Sequence, residues 1–148
     1  MIRVNELTKD YGARRALHGL TFEAQQGEVV GFLGPNGAGK TTTMRILTSY
    51  MPPTSGEATV AGYDVVSESL EVRKRVGYLP ETVPLYADMV VFDFLKFMAN
   101  LRHIPDADER VGEALEMVGM VDRANGYIGN LSKGMRQRIG LAQALLHR

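Results

Sequence analysis

The chain has 148 residues, 45% apolar and 23% charged, which is typical of a globular domain with a buried core and excludes a disordered chain. Seventeen basic residues balance seventeen acidic ones, so the charge gives no reason to expect nucleic acid or an anionic membrane as the main partner. The sequence has no cysteine, which excludes disulfides and thiolate metal sites. Asp93 and Lys96 interrupt the most apolar stretch, so we expect a soluble chain without a membrane span.

The first part of the chain predicts short strands around a glycine-rich loop. Apolar residues predict strands near 2–7 and 20–22, separated by the turn at Tyr11-Gly12. The apolar run at 28–33 lies between glycines, which predicts a strand buried on both faces and therefore part of a parallel sheet. Further along, the pattern predicts a helix at 41–50, a strand at 58–61, a helix at 67–75 and a strand at 76–79.

The later part of the chain predicts helices. Apolar residues recur at helical spacing from 92 to 99, and Asp106 with Glu109 three positions later predicts a capping box at the start of another helix. A last helix is predicted to begin near Ser132 and to be still running at Arg148. Strands and a loop followed by helices predict an α/β core with an inserted or appended helical part.

Residues 34–41 fit the pattern G-x-x-x-x-G-K-[ST] of a phosphate-binding loop, between a predicted strand and a predicted helix. Glycines let consecutive backbone N–H groups turn inward around an anion, and the following helix adds its N-terminal amides. Lys40 can reach the β- and γ-phosphates, and the Thr41 hydroxyl is placed to ligate Mg²⁺. The alternative is a plain glycine-rich turn before a helix. The predicted nucleotide-binding residues here are Gly34, Pro35, Asn36, Gly37, Ala38, Gly39, Lys40, Thr41 and Thr42.

A second motif distinguishes among the classes of protein that carry such a loop. The segment Leu131-Ser132-Lys133-Gly134-Met135 resembles the signature motif of ATP-binding-cassette (ABC) ATPases, which is usually Leu-Ser-Gly-Gly-Gln. Tyr11 lies where that family places an aromatic residue against adenine. Tyr78-Leu79-Pro80-Glu81 lies where the family has its Q-loop, and the resemblance spans the whole chain.

This resemblance implies a P-loop NTPase fold, with a RecA-like parallel-sheet core, an antiparallel β subdomain and a helical subdomain, incomplete at the C-terminus. It implies a β subdomain and P-loop core over about 1–86, and a helical subdomain with the signature helix over about 87–148. ATP and Mg²⁺ are the implied cofactors. Thr41 and Glu81 are the implied metal ligands, although Glu81 stands where the family has glutamine, and a plain loop residue is the alternative.

The signature segment, residues 131–135, is implied to contact ATP held by the opposite subunit of a head-to-tail dimer. Ser132 is also a candidate N-cap of its own helix, and the two roles are compatible. Met135 replaces the usual glutamine and cannot make its amide hydrogen bonds. For Tyr11, adenine stacking is the implied role and simple packing the alternative. The residues implied to bind ATP in trans are Leu131, Ser132, Lys133, Gly134 and Met135.

The catalytic part of the family pattern does not appear in these 148 residues. The family continues after the signature with an apolar strand ending in Asp-Glu, the Walker B carboxylates, and later a switch histidine. Nothing after Arg138 fits that strand. We therefore expect no catalytic residue within the chain, negligible ATP hydrolysis by the chain alone and poor folding, because a central strand of the sheet would be missing.

The leading functional hypothesis is the energy subunit of a bacterial exporter resembling the ABC-2-type subgroup. It implies a second ABC ATPase subunit and a separate transmembrane permease as partners, no nucleic acid, and a cytoplasmic location at the inner face of the membrane. Glu81 and the helix near 92–101 would contact the permease. The alternatives are a soluble ABC ATPase of translation or DNA repair, and a truncated form that only binds nucleotide.

Overall fold

The computed structural model describes residues 1–147 and divides into two compact units, Met1–Val76 and the part that begins at Gly77. The first unit contains the β-sheet and the second is helical. Within residues 1–147, no helix has both the length and the apolar character needed to cross a membrane.

The first unit is built on a four-stranded antiparallel sheet. Its strands are β1 (Ile2–Tyr11), β2 (Arg14–Ala24), β3 (Ser55–Val60) and β4 (Tyr63–Asp64), in the order β2-β1-β3-β4. The predicted strands near 2–7 and 20–22 are therefore confirmed within larger strands, and the one at 58–61 is confirmed up to Val60, where β3 ends. The β1–β2 hairpin closes at Gly12, whose φ of +59° is a conformation that glycine adopts without a steric penalty.

Two helices belong to the same unit and bury their apolar sides against the sheet. They are α1 (Lys40–Leu47), which overlaps the predicted range 41–50 but begins one residue earlier, and α2 (Ser69–Arg75), which lies within the predicted range 67–75. In the strands, Ala58 and Val60 alternate along β3, whereas Val4 and Leu7 of β1 lie three residues apart across a shift in the hydrogen-bond register. The buried cluster consists of Val4, Leu7, Leu17, Ile46, Leu47, Ala58, Val60, Val65 and Val72.

The predicted strand at 28–33 is wrong for the described structure. Val29 and Leu33 are 102% and 93% exposed, and no described segment pairs with this run. A parallel strand is stabilised by hydrogen-bonded neighbours and by cover on both faces, and residues 1–147 supply neither here. The predicted strand at 76–79 likewise has no regular structure. The parallel-sheet part of the expected fold is thus not formed in the described residues, whereas its antiparallel and helical parts are.

The second unit consists of α3 (Val91–Leu101), α4 (Ala107–Met117) and α5 (Lys133–Leu145), with short 3-10 turns at Val121–Arg123 and Ile128–Asn130. The helical periodicity that the sequence shows is confirmed. The helices share one apolar core, formed by Val91, Phe94, Leu95, Ala99, Val111, Ala114, Leu115, Val118, Met120, Ile128, Leu131, Ile139, Ala142 and Leu146.

The ends of α4 and α5 differ from the predictions. Asp106 has a φ of +51° and makes no side-chain hydrogen bond to the first turn of α4, so the predicted capping box is not formed. An N-cap side chain normally acts from an extended backbone, which Asp106 lacks. Helix α5 ends at Leu145, where the Arg110 side chain donates hydrogen bonds to the carbonyl oxygens of Leu145 and Leu146, at 3.4 and 3.0 Å. Leu146 and His147 form a turn, so the prediction that the helix is still running at the end of the chain is wrong for these two residues, and Arg148 lies outside the described residues.

Candidate nucleotide-binding site

The phosphate loop, residues 34–41, leads into the N-terminus of α1. The Lys40 ammonium group donates hydrogen bonds to the carbonyl oxygens of Gly34 and Pro35, at 2.6 and 2.7 Å. The backbone N–H of Ala38 donates to the Pro35 carbonyl at 3.2 Å. These bonds curve the loop around its own lysine, so the cation is held against the backbone of the loop rather than extended into solvent.

Gly39 fixes the junction between the loop and the sheet. Its φ is +87°, and a Cβ built on it would lie 2.6 Å from the Ala16 carbonyl oxygen and 2.4 Å from Leu17 Cδ2. Only glycine fits this contact with β2 without displacing backbone. The Gly39 carbonyl also accepts hydrogen bonds from the N–H and the hydroxyl of buried Thr43, at 2.9 and 3.1 Å. The start of α1 is thereby anchored to the sheet.

The residues expected to contact a nucleotide are accessible at this junction. Thr41 in the first turn of α1 is exposed, and Lys40 and Thr42 are half-buried. The first backbone N–H groups of a helix have no partner within the helix and carry its positive end. The loop therefore brings an ammonium group, a hydroxyl and free amides together at one place, which is the chemistry that an anion such as phosphate requires.

Tyr11 is the last residue of β1, at the end of the β1–β2 hairpin. Its hydroxyl donates a hydrogen bond to Met51 Sδ at 3.2 Å, and the Lys9 ammonium group lies 5.7 Å from the ring centroid. Tyr11 is 43% exposed, although the bond to Met51 holds its hydroxyl group in place. The ring is thus a fixed aromatic surface that a planar base can stack on.

Arg14 is a candidate residue that the sequence reasoning missed. It pairs with Tyr11 across the β1–β2 hairpin, and its Nη2 lies 3.9 Å from the position that a Cβ on Gly37 would take. The signal in the sequence was an arginine that the short Gly12-Ala13 turn places opposite Tyr11. That signal alone does not place the arginine beside the phosphate loop, because the path of the loop relative to the hairpin is a tertiary feature.

The signature segment begins α5 in the second unit. Ser132 is the N-cap of α5, and its Oγ accepts a hydrogen bond from the Met135 N–H at 3.3 Å, so the predicted capping role is confirmed. Lys133 and Gly134 are exposed, Leu131 is buried, and Met135 packs on the helical core. The methionine therefore has an apolar packing role at the position where the usual motif has glutamine.

The segment around Glu81 lies along α5. Gln137 Nε2 donates a hydrogen bond to the backbone carbonyl of Glu81 at 2.9 Å. A Cβ on Gly140 would lie 2.7 Å from Val83 Cγ1 and 2.8 Å from Leu79 Cδ1, so the small residue permits this close approach. The candidate Q-loop and the signature helix thus form one packed structure within the second unit.

The described residues contain no cluster of three or more histidine, cysteine or acidic side chains that could hold a metal ion. The two candidate magnesium ligands, Thr41 and Glu81, belong to different units. Mg²⁺ is commonly held by one or two protein oxygens together with substrate phosphates. A hydroxyl at the phosphate loop fits such a site, in which the nucleotide supplies the other ligands.

Comparisons with known proteins find relatives among ATP-binding proteins of ABC transporters. The chain is 40% identical to an uncharacterized ABC transporter ATP-binding protein, YxlF, of Bacillus subtilis, over 100% of this chain and 49% of that protein. It is 37% identical to the bacitracin transport ATP-binding protein BcrA of Bacillus licheniformis, over 99% of this chain and 48% of that protein. The chain thus spans about half the length of these curated relatives.

A solved ATP-binding subunit of an ABC transporter superposes with a TM-score of 0.87 and 29% identity, covering 99% of this chain and 62% of that one. The antiparallel sheet and the helical unit therefore correspond to a partial ABC ATPase domain. The family model described as "ABC transporter" matches residues 17–148, which include both the phosphate loop and the signature segment. The chain belongs to the ABC transporter family of ATP-binding proteins.

Proposed function

We propose that the chain binds ATP with Mg²⁺ at its phosphate loop, as the nucleotide-binding part of a transporter's energy subunit. The observation that carries this proposal is the geometry at Lys40, whose ammonium group is held by two loop carbonyls at the N-terminus of α1. Lys40 would contact the β- and γ-phosphates, while Gly34, residues 36–39 and Thr42 would present backbone N–H groups to them. Pro35 has no backbone N–H and would only line the loop. Tyr11 would stack on the adenine.

Mg²⁺ would neutralise phosphate charge beside the Thr41 hydroxyl, with Glu81 as the second proposed protein ligand. Thr41 supports this proposal because it is exposed in the first turn of α1. Gln137 donates a hydrogen bond to the backbone carbonyl of Glu81, and the Glu81 residue is exposed. The Glu81 carboxylate is therefore accessible to a ligand. The role of each residue is a proposal that rests on the chemistry of its oxygen atoms.

The signature segment is proposed to contact ATP bound to a second ABC ATPase subunit in a head-to-tail dimer. The Ser132 cap supports this, since it organises the exposed N-terminus of α5, where the amides of Lys133 and Gly134 lie at the positive end of the helix. A separate transmembrane permease is the second proposed partner, at the cytoplasmic face of the membrane. Support comes from relatives named as ABC transporter and bacitracin transport ATP-binding proteins.

Hydrolysis is proposed to need residues outside this chain. In a P-loop ATPase, a carboxylate holds Mg²⁺ and another group orients the attacking water. The sequence after Arg138 lacks the strand that would carry the Walker B pair. Steady ATP turnover by the 148-residue chain, abolished by Lys40→Ala, would contradict this part of the proposal.

The test of nucleotide binding is an equilibrium titration of the protein, as its gene encodes it, with a fluorescent ATP analogue and Mg²⁺. Lys40→Ala should weaken binding by at least about tenfold, because it removes a charge-assisted contact to the phosphates. The matched control is Lys74→Ala, which removes an exposed lysine that pairs with Glu71 on α2 and should leave binding unchanged. Absence of binding, or equal binding by both variants, would refute the proposal.

A further inference from the structure

The guanidinium group of Arg14 lies beside the phosphate loop. Arg14 is the first residue of β2 and is the partner of Tyr11 in the hairpin register. Its Nη2 would be 3.9 Å from a Cβ on Gly37, so the side chain extends from the hairpin to the middle of the loop. The same side chain therefore adjoins both the aromatic surface proposed for the base and the loop proposed for the phosphates.

Arg14 differs from its neighbour Arg15 in its contacts within the described residues. Arg15 forms a two-bond ion pair with Asp10, at 2.8 and 3.1 Å, and this pair lowers the pKa of the Asp10 carboxyl. Within residues 1–147, the Arg14 guanidinium makes no hydrogen bond or ion pair, and its side chain is exposed. Its donors are therefore available to a ligand without breaking any contact among residues 1–147.

The chemistry of the ligand follows from these two observations. A guanidinium group presents a planar set of donors that matches the oxygens of a phosphate and remains charged at any physiological pH. A nucleoside triphosphate carries more negative charge than the single ammonium group of Lys40 neutralises. A second cation on the hairpin side of the loop complements Lys40, which is held by the Gly34 and Pro35 carbonyls.

We propose that Arg14 is a further nucleotide-binding residue, and that its guanidinium group donates hydrogen bonds to phosphate oxygens of a nucleotide held by the phosphate loop. This inference rests on the proposed function. Through its positive charge, Arg14 raises the affinity of the site for nucleotides that carry phosphate groups. Salt screens the attraction between the guanidinium group and the phosphates, so part of the salt dependence of ATP binding comes from this one side chain.

The experiment compares Arg14→Gln, Arg14→Lys and Arg15→Gln with the unmodified protein, by titration with the fluorescent ATP analogue and Mg²⁺ at several salt concentrations. Arg14→Gln should weaken binding by about fivefold at low salt and flatten the salt dependence, as expected for one lost charge-assisted contact. Arg14→Lys should recover part of the affinity and the salt dependence. Arg15→Gln, which removes an arginine paired with Asp10, should change affinity by less than about twofold.

The outcomes separate this inference from the proposed function. If Lys40→Ala weakens binding while Arg14→Gln leaves the affinity and its salt dependence unchanged, the inference is wrong and the proposed function stands. If Arg14→Gln weakens binding equally at all salt concentrations and also lowers the melting temperature, Arg14 acts by stabilising the hairpin, and the inference is wrong again. If the unmodified protein binds no nucleotide, both proposals fail.

Discussion

Gly39 offers a sharp test of how the phosphate loop is fixed to the sheet. In Gly39→Ala the new Cβ would meet the Ala16 carbonyl oxygen at 2.6 Å and Leu17 Cδ2 at 2.4 Å. The leucine methyl can move, but the carbonyl belongs to β2 and cannot shift without distorting the hairpin. Overpacking of this kind costs about 1–3 kcal/mol. The left-handed backbone at φ +87° costs a residue with a Cβ about 1–2 kcal/mol more.

Gly62 is the matched control, because it has the same φ of +87° and nothing within 4 Å of a Cβ built on it. Gly62→Ala should lower the free energy of unfolding by about 1–2 kcal/mol, the conformational cost alone. Gly39→Ala should lower it by about 2–5 kcal/mol, the sum of both costs. Urea unfolding followed by circular dichroism gives both values by linear extrapolation. Equal losses in the two variants would refute the claim that the Ala16 contact fixes the loop.

Two further predictions concern hydrogen bonds at turns. Ser132→Ala removes the hydroxyl oxygen that accepts a hydrogen bond from the Met135 N–H. It should lower the free energy of unfolding, measured by urea unfolding, by about 1 kcal/mol. An unchanged value would show that solvent replaces this cap. The backbone N–H of Ser67 donates a hydrogen bond to the Asp64 carboxylate and is the main cause of the lowered pKa of Asp64. The ionised carboxylate therefore stabilises the folded state above about pH 4, the ordinary aspartate range, and this stabilisation is lost as the pH falls through the lowered pKa. Asp64→Ala should therefore be less stable than the unmodified protein at pH 7, with a difference that shrinks on acidification, whereas a difference independent of pH would contradict this account.

The features that the sequence predicts correctly are those fixed by local chemistry. The turn of residues 34–39 into α1 follows from glycines that precede a lysine and threonines within a few positions, whereas phosphate binding by this loop stays a prediction. The Ser132 cap needs only an N–H three residues further on, and it forms as predicted. The core of the helical unit follows from periodicity, since the apolar residues of a helix that packs on others recur every three or four positions.

The features that the sequence does not predict depend on the backbone conformation or on partners outside the local segment. The run at 28–33 has the composition of a buried parallel strand, but a strand forms only where neighbours pair with it. Asp106 has the residue type and spacing of a capping box, yet its backbone φ of +51° does not support one. The position of Arg14 beside Gly37 is set by how the hairpin and the loop pack, which no local pattern encodes.

The central claim is that a nucleotide binds at residues 34–42. Amide hydrogen exchange of the protein, measured with and without ATP and Mg²⁺, tests it directly by locating the bound ligand on the chain. We expect slower exchange across the loop and the first turn of α1 when ATP is present, and much less slowing in Lys40→Ala at the same ATP concentration. Unchanged exchange at 34–42 in the unmodified protein, under conditions where ATP slows exchange elsewhere in the chain, would contradict the account.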